Sequence, residues 1–293
     1  MKLRKHYLLV ANPISGGTDK SKIIDLSKEL AEQNGVDLHI YETTGKNDAD
    51  EIRKLYKTHE IDRVIVAGGD GTILLVAEAL EKEKATLAVL PSGSANGLAK
   101  DLDIPAGIEE SAHIAFEGKV IEMDMICING KRSLHLSDIG LNAELIKNYE
   151  EGSIRGKLGY LLQTIKTLSD NEDAFNCRIE TADEVLETDA RVIIIANSQK
   201  YGTGIVINPD GKIDDGKFEI VIFKNLDLMT VGKVLSGNMP VEDSDVQILS
   251  TNKASIHSET PVNFQVDGEY CGTVTDLEIT ILPRHLKIAV PLQ

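Results

Sequence analysis

One short glycine-rich segment places a carboxylate among backbone groups that can approach a phosphate. Gly68-Gly69-Asp70-Gly71-Thr72 follows the apolar run Val64 to Ala67 and precedes a run with helical periodicity. Glycine lets the main chain come close to phosphate oxygens, and the first turn of a helix offers unpaired N–H groups to an anion. Because two anions repel, Asp70 would instead bind Mg²⁺ or accept a proton from an attacking hydroxyl. The alternative interpretation is a glycine-rich turn with an aspartate helix cap.

Two further polar loops also follow apolar runs. Pro91-Ser92-Gly93-Ser94-Ala95-Asn96-Gly97 comes after Thr86 to Leu90, and Asn12-Pro13-Ile14-Ser15-Gly16-Gly17-Thr18 comes after the first apolar run. Each loop alone is a common way to end a strand, but loops at the carboxyl ends of strands in one sheet converge on one ligand. None of the three contains GxxxxGK[ST] or GxGxxG, which disfavours P-loop NTPases, protein kinases and dinucleotide dehydrogenases.

The elements that position these loops alternate between short apolar runs and helical patterns as far as about Pro105. We predict strands at residues 7–11, 36–41, 63–67 and 86–90, and helices at residues 23–31, 52–56, 73–80 and 95–102. This alternation is typical of βαβ units and of a largely parallel sheet.

After about Val120 the pattern changes to β-branched runs broken by turn pairs such as Asn129-Gly130 and Asp215-Gly216, with one helical stretch from Lys157 to Leu168. This pattern predicts an antiparallel β domain. We place an α/β domain at residues 1–125 and a β-rich domain at residues 126–293. Because no Pro- or Ser-rich linker separates them, we expect the domains to pack directly and form a cleft.

Composition limits the classes of partner. The 293 residues carry 31 Lys and Arg against 47 Asp and Glu, a net charge of −16, which argues against nucleic acid and against broad attraction to anionic lipid. No apolar run approaches the ~20 residues of a membrane span, and the N-terminal apolar stretch is too short for a signal peptide, so we expect a cytoplasmic protein. The three cysteines, without CxxC spacing, indicate neither a disulfide framework nor a zinc site.

The loops and several later segments resemble the lipid kinases that include diacylglycerol, sphingosine and ceramide kinases. In the first half the matching segments are Asn12-Pro13 with Ser15-Gly16-Gly17, Gly68 to Thr72, and Pro91 to Asn96 followed by Leu98-Ala99 and Ile104-Pro105. In the second half they are Ile139 to Ala143, Lys157 to Tyr160, Ala196-Asn197, Tyr201 to Gly204, Asp215-Gly216 and Asp267-Gly268-Glu269. The resemblance implies a three-layer, doubly wound α/β domain like that of NAD kinases, followed by an antiparallel β-sandwich. It also implies that residues 1–125 are the nucleotide-binding kinase domain and residues 126–293 the domain for the lipid substrate.

The resemblance also implies ATP and Mg²⁺ as cofactors and assigns residues to them. The nucleotide-binding positions are Asn12, Thr44, Gly68, Gly69, Gly71, Thr72, Gly93, Ser94 and Asn96. Glu269 would be the general base, with Asp70 and Asp124 in the carboxylate and Mg²⁺ network of the active site. Asp215, with main-chain oxygens of Lys212 and Lys217, resembles a structural cation site. Without the resemblance, Asp267-Gly268-Glu269 would be interpreted as a hairpin turn.

The chain departs from the family pattern at two places. Many bacterial members have Asn-Glu where this chain has Leu74-Leu75, and Asn-Asp where it has Asn96-Gly97, which removes one expected carboxylate from the Mg²⁺ network. The second loop is closer to sphingosine kinases, and GGDGTILL resembles NAD kinases. Two alternatives therefore stay open, a kinase of a soluble nucleotide such as NAD and a catalytically inactive nucleotide- or lipid-binding relative.

The expected partner is a neutral lipid alcohol, diacylglycerol slightly ahead of a sphingoid base, reached by transient peripheral contact with the membrane. A homodimer is a further possibility. Apolar and basic residues alternate between Ile139 and Leu168, and this stretch is our candidate for an apolar slot with a basic rim. The alternative is that its apolar residues face the core of the β domain.

Overall fold

The computed structural model describes residues 4–17, 19–140, 174–201, 205–206, 208–225 and 244–292. The chain divides into two compact units, residues 1–123 with 284–293, and residues 124–283. The last ten residues thus belong with the first unit. The predicted domain bounds, 1–125 and 126–293, place them in the second domain instead. Within the described ranges no helix is both long enough and apolar enough to cross a membrane.

The first unit contains every strand and helix that the alternating pattern predicts. Its strands are β1 (Lys5–Ala11), β2 (Val36–Glu42), β3 (Arg63–Gly68) and β4 (Thr86–Pro91). Its helices are α1 (Ser21–Gln33), α2 (Asp48–Thr58), α3 (Asp70–Ala79), α4 (Gly97–Asp101) and α5 (Ile108–Glu117). Helix α5 is the one that the sequence analysis missed, and short 3₁₀ turns occupy Ser15–Gly17 and Glu81–Glu83.

The inner strands β1, β3 and β4 are largely apolar and buried because helices cover both faces of the sheet, whereas β2 at the edge is only partly buried. The order is β2-β1-β3-β4, all parallel, and the C-terminal end of the last strand of the chain adds a fifth parallel neighbour through Lys287 and Ile288. Helices α1 and α5 pack on one face, α2 and α3 on the other. Leu8, Leu9 and Val10 on β1 are therefore all buried. The predicted doubly wound, three-layer α/β domain is confirmed.

The second unit is built from short antiparallel strands. They are β5 (Lys119–Ile128), which begins in the first unit, β6 (Lys131–Ser133), β7 (Leu136–Ile139), β8 (Phe175–Thr181), β9 (Val185–Ala190), β10 (Val192–Ala196), β11 (Lys200–Tyr201), β12 (Ile205–Val206), β13 (Phe218–Phe223), β14 (Val246–Thr251), β15 (Lys253–Val266) and β16 (Glu269–Val290). Strand β16 runs on into the first unit from Arg284.

Two layers of this unit share the long strand β15. Its second half pairs with β7 in the order β14-β13-β10-β7-β15, and its first half pairs with β8, which pairs with β9. The register on β16 slips between His257 and Val262, and Pro261, which has no N–H to donate, falls in that gap. Ile193, Phe218 and Ile256 belong to the common core between the layers. The predicted antiparallel β-sandwich is confirmed.

The return of β16 to the first sheet predicts that Ile288→Ala destabilises the protein. Ile288 is 0% exposed and pairs with Leu87, so a cavity there should lower the free energy of unfolding by about 2–5 kcal/mol. Denaturant unfolding measures this loss. The matched control is Leu292→Ala, whose side chain is 71% exposed and whose expected effect is within about 0.5 kcal/mol. Equal stability of the two variants would contradict a structural role for this C-terminal strand.

Candidate active site

The carboxylate of Asp70 joins the loops that follow β3 and β4. Asp70 is buried, and its two oxygens accept hydrogen bonds from the backbone N–H groups of Gly97 (2.8 Å) and Leu98 (3.0 Å). These are the first two residues of α4, whose N–H groups have no partner within the helix. Asp70 therefore caps a helix, as the alternative interpretation in the sequence analysis predicts. The helix that it caps is α4, whereas Asp70 itself is the first residue of α3. Its remaining lone pairs leave a role in Mg²⁺ binding or proton transfer as a prediction.

The glycines of these loops are required by close packing of one loop on the other. A Cβ on Gly93 would lie 2.4 Å from the Cα of Gly69, and a Cβ on Gly68 would lie 2.6 Å from the Cβ of Thr72. The N–H of Ser92 donates to the carbonyl of Gly68 (3.0 Å). The sequence predicts that these glycines leave room for a phosphate. In the structure, the absence of a Cβ lets the backbones of Gly69 and Gly93 pack against each other and leaves room for the side chain of Thr72 beside Gly68.

The loop after β1 is attached to the same two loops. The side-chain amide of Asn12 donates to the hydroxyl of the buried Thr72 (3.0 Å), and the N–H of Asn12 donates to the carbonyl of Ala67 (2.9 Å). Gly16 has a φ of +62°, and a Cβ there would meet the carbonyl oxygen of Ser92 at 2.4 Å. The three loops thus meet at the carboxyl ends of their strands.

The exposed parts of this loop cluster are where a ligand can make contact. Ser94 and Gly71 are exposed, Gly71 in the first turn of α3. Asn96 is committed to its own loop, because its side chain accepts the N–H of Gly93 (2.8 Å) and donates to the carbonyl of Gly93 (3.0 Å). The exposed N–H of Gly71 in the first turn of α3 and the hydroxyl of Ser94 are donors that the cluster can present to an anion, whereas the N–H of Thr72 donates to the carbonyl of Gly69 (3.0 Å).

Thr44 lies in a separate loop, after β2, which is organised by an aspartate that the sequence analysis missed. Asp48 accepts hydrogen bonds from the hydroxyl of Tyr41 (2.7 Å) and the N–H groups of Thr44 (2.9 Å) and Gly45 (2.8 Å). Burial raises the pKa of Asp48, but these hydrogen bonds outweigh it and hold that pKa below its usual value. Burial and the bond to Asp48 raise the pKa of Tyr41 to about 12. The signal for this role is an aspartate shortly before the predicted helix at residues 52–56, where Asp side chains commonly bind nearby backbone N–H groups.

In the second unit, Asp124 fixes the turn that carries the expected cation site. Asp124 is fully buried; its carboxylate accepts the N–H of Gly216 (2.7 Å) and its own N–H donates to the carbonyl of Ile213 (2.7 Å). The neighbouring Asp215 is exposed and accepts the N–H of Lys217 (3.0 Å). The structure therefore brings Asp124 beside the segment from Lys212 to Lys217.

The donor set of this turn suits a hard cation. A carboxylate at Asp215 with main-chain carbonyls of Lys212 and Lys217 consists of oxygen ligands alone, the type that Mg²⁺ and Ca²⁺ prefer. Across the described ranges, no group of three or more His, Cys, Asp and Glu side chains could hold a metal ion. A cation here would accordingly depend on main-chain oxygens, and its presence stays a prediction.

Glu269 follows a rigid hairpin turn. Asp267 and Gly268 have φ values of +47° and +90°, and Val266 pairs with Glu269 across them, which makes a two-residue turn of the Asp-Gly type. The carboxylate of Asp267 accepts the N–H groups of Leu134 (2.7 Å) and Leu136 (3.1 Å). It also accepts the hydroxyl of Ser133 (2.9 Å) and the N–H of His135 (3.2 Å). The turn is thus held by its first residue, while the side chain of Glu269 is exposed.

A buried carboxyl group on β7 is a second feature that the sequence analysis missed. Asp138 is buried inside the sheet, and the amide of Gln265 on β15 donates to it. Burial raises the pKa of Asp138 well above its usual value, so the acid is neutral over a wider pH range than an exposed aspartate. Gln265 lies two residues before the Asp267 turn. The expected lipid slot at 139–168 and the segments Lys157 to Tyr160 and Gly202 to Gly204 lie outside the described residues, apart from Ile139 and Gly140.

Comparison with known proteins assigns each half of the chain to a family domain. Residues 6–128 match the diacylglycerol kinase catalytic domain. Residues 138–290 match the YegS C-terminal NAD kinase beta sandwich-like domain. Together the two matches span both units.

Curated relatives cover nearly the whole chain. A protein named diacylglycerol kinase from Bacillus subtilis is 25% identical over 295 residues, 98% of this chain and 97% of the relative. One named probable lipid kinase YegS from Salmonella typhimurium is 28% identical over 275 residues, 89% of each. The crystal structure of a diacylglycerol kinase from Bacillus anthracis has a TM-score of 0.75 at 24% identity, covering 99% of this chain and 98% of that one. This structural likeness supports the fold.

The capping role of Asp70 predicts that Asp70→Asn weakens the fold as well as any chemistry. Asparagine has one acceptor oxygen, so either Gly97 or Leu98 would face an amide NH₂ and lose its partner, at a cost of about 1–3 kcal/mol. Thermal unfolding with and without nucleotide measures this. Asp25→Asn, which removes the same charge from an exposed site on α1, is the control. Unchanged stability with lost activity would show instead that Asp70 acts only on the metal or the substrate.

Proposed function

The chain belongs to the diacylglycerol kinase-like family of lipid kinases, phosphotransferases with an alcohol as acceptor, and on that premise we propose that it transfers the γ-phosphate of ATP to the hydroxyl of a neutral membrane lipid. Diacylglycerol is the preferred acceptor in this proposal, slightly ahead of a sphingoid base. The observation that supports the nucleotide half of the proposal is the cluster of three loops, joined through Asp70 and Asn12, within the part of the chain that matches the catalytic domain.

Phosphoryl transfer needs alignment and charge neutralisation more than covalent chemistry from the protein. The loop cluster provides alignment, because glycine-to-glycine packing and the Asp70 cap leave the main chain little freedom to move. The exposed N–H of Gly71 in the first turn of α3 and the exposed Ser94 are donors for phosphate oxygens. Mg²⁺, when bound, supplies the neutralising charge on the phosphates, and Asp70 and Asp124 are the side chains proposed to hold it.

The proposed proton acceptor is Glu269. Its carboxylate is exposed, and no described residue hydrogen-bonds to it, so it is free to accept a hydrogen bond from an acceptor hydroxyl. The backbone that carries it is held by the four hydrogen bonds to Asp267. A mobile base would lose part of its effect because proton transfer needs the acceptor within hydrogen-bond reach of the hydroxyl.

The acceptor is proposed to be a neutral lipid because of charge. With a net charge of −16, the protein is repelled by a strongly anionic surface, so contact with a membrane must be local and transient. A neutral lipid alcohol can be presented by a membrane of low surface charge. Peripheral membrane contact is accordingly part of the proposal.

The deciding experiment offers γ-labelled ATP and Mg²⁺ with mixed micelles of diacylglycerol, sphingosine or ceramide, and separately with soluble NAD. We expect label in the lipid phosphate, most in phosphatidic acid. Label found only in NADP would contradict the lipid assignment and favour the soluble-nucleotide alternative. ATP binding without label in any acceptor would favour the inactive relative.

Glu269→Gln is expected to lower kcat by about 10²–10⁴-fold, the usual contribution of a general base, with little change in the KM for ATP. The lipid kinase assay above measures both constants. Glu278→Gln, a like change at an exposed glutamate on the same strand, is the control and should leave both constants as they are. A loss of ATP affinity together with activity would point to a structural or metal-binding role for Glu269.

A further inference from the structure

A lysine lies buried between two of the loops. Lys20 is 4% exposed, and its ammonium donates to the main-chain carbonyls of Ser15 (2.6 Å) and Ser92 (3.1 Å). Within the described ranges it forms no ion pair with a carboxylate. Its sequence neighbour Asp19 hydrogen-bonds instead to the N–H (2.9 Å) and hydroxyl (2.7 Å) of Ser21. The charge of Lys20 is therefore held by carbonyl dipoles.

A buried charge whose hydrogen-bond partners are neutral carbonyls is costly to the folded protein. Ammonium groups removed from water are normally paired with a carboxylate or lose their proton. Burial lowers the pKa of Lys20, which shows the same cost, although the nearby Asp19 opposes the shift. Two carbonyl hydrogen bonds satisfy two of the three N–H groups of the ammonium, and they leave its net charge uncompensated.

A second buried group in the same place also lacks a partner. Ser92 is 8% exposed, and within the described residues nothing hydrogen-bonds to its hydroxyl. Its N–H donates to Gly68 and its carbonyl accepts from Lys20, so the backbone of Ser92 is satisfied while the side chain is not. A buried hydroxyl without a partner costs about 1–3 kcal/mol, a cost that a ligand with acceptor oxygens would remove.

The two groups are held together by the packing of Gly16. A Cβ at Gly16 would lie 2.4 Å from the same carbonyl oxygen of Ser92 that accepts from Lys20. The loop after β1 thus packs closely against the carbonyl of Ser92, the same group that accepts a hydrogen bond from the ammonium of Lys20. The ammonium therefore contacts the main chain of the residue that carries the unpartnered hydroxyl, at the carboxyl ends of β1 and β4 where the three loops meet.

We propose that Lys20 and Ser92 form a subsite for the phosphate groups of the nucleotide, in which the ammonium supplies the compensating charge and the hydroxyl supplies a hydrogen bond. This inference rests on the proposed use of ATP. The subsite recognises phosphate charge and not the base, so its contribution to binding is largest for the nucleotide with most phosphates and absent for the uncharged nucleoside.

Calorimetric binding of ADP and of adenosine to the full chain tests the subsite. For Lys20→Gln we expect the Kd for ADP to rise about 10- to 100-fold, as for the loss of one hydrogen bond to a charged group, and the Kd for adenosine to stay the same. The control is Lys22→Gln, which removes an exposed lysine from the first turn of the same helix and should change neither constant.

Ser92→Ala is the second variant, chosen because it removes one oxygen and leaves the loop backbone unchanged. Its Kd for ADP should rise about 2- to 12-fold, the range for a neutral hydrogen bond. Its unfolding temperature without nucleotide should equal or exceed that of the wild type, since the hydroxyl it lacks has no partner there. Should Lys20→Gln fail to fold, Ser92→Ala alone decides.

Three outcomes would overturn the subsite. Unchanged ADP affinity in the two variants, while the wild type binds ADP, would overturn the subsite and leave the proposed function standing. Equal losses of ADP and adenosine affinity would show that Lys20 only supports the loops. A wild-type protein that binds neither ADP nor ATP would overturn the proposed function and the subsite together.

Discussion

The arrangement of the loops in the first unit depends on one carboxylate that satisfies two backbone N–H groups in another loop. Asp70 lies at the end of the turn after β3. Its oxygens accept hydrogen bonds from N–H groups 27 and 28 residues further along the chain, at the start of α4. Without this cap the first turn of α4 would bury donors with no acceptor. The contact between Gly69 and Gly93 follows from it, because the two loops must lie backbone to backbone for the side chain to reach.

The second unit uses aspartates in the same way. Asp267 accepts four hydrogen bonds from residues 133–136, and Asp124 holds the turn at Gly216. Carboxylates that accept N–H donors form stronger hydrogen bonds than neutral acceptors do. Some of the carboxylates counted in the net charge of −16 therefore hold loops in place. The exposed surface carries less negative charge than that number indicates.

This use of acid side chains explains why a buried lysine matters for an enzyme that handles phosphate. Loops built on aspartate repel polyphosphate unless a cation lies close to it. In our proposal Mg²⁺ supplies that charge together with Lys20, a cation of the protein that lies between two of the loops. Leu75 and Gly97 stand where many bacterial members of the family carry acid groups, so the proposed phosphate site has less repulsion to overcome and fewer carboxylates for the proposed metal.

The sequence by itself determined the local elements and the family. Apolar runs predicted β1, β3 and β4, because strands buried on both faces must be apolar. The Asp267-Gly268 pair predicted its hairpin, because both residues tolerate positive φ. Helix α5 was missed, as were Asp48 and Asp138. Only the tertiary structure decided which donors Asp70 caps, that Asp124 reaches a turn 92 residues away, and that Ile288 joins the first sheet beside Leu87. Periodicity reports the neighbours of a residue along the chain, whereas these contacts depend on how distant segments meet when the sheets form.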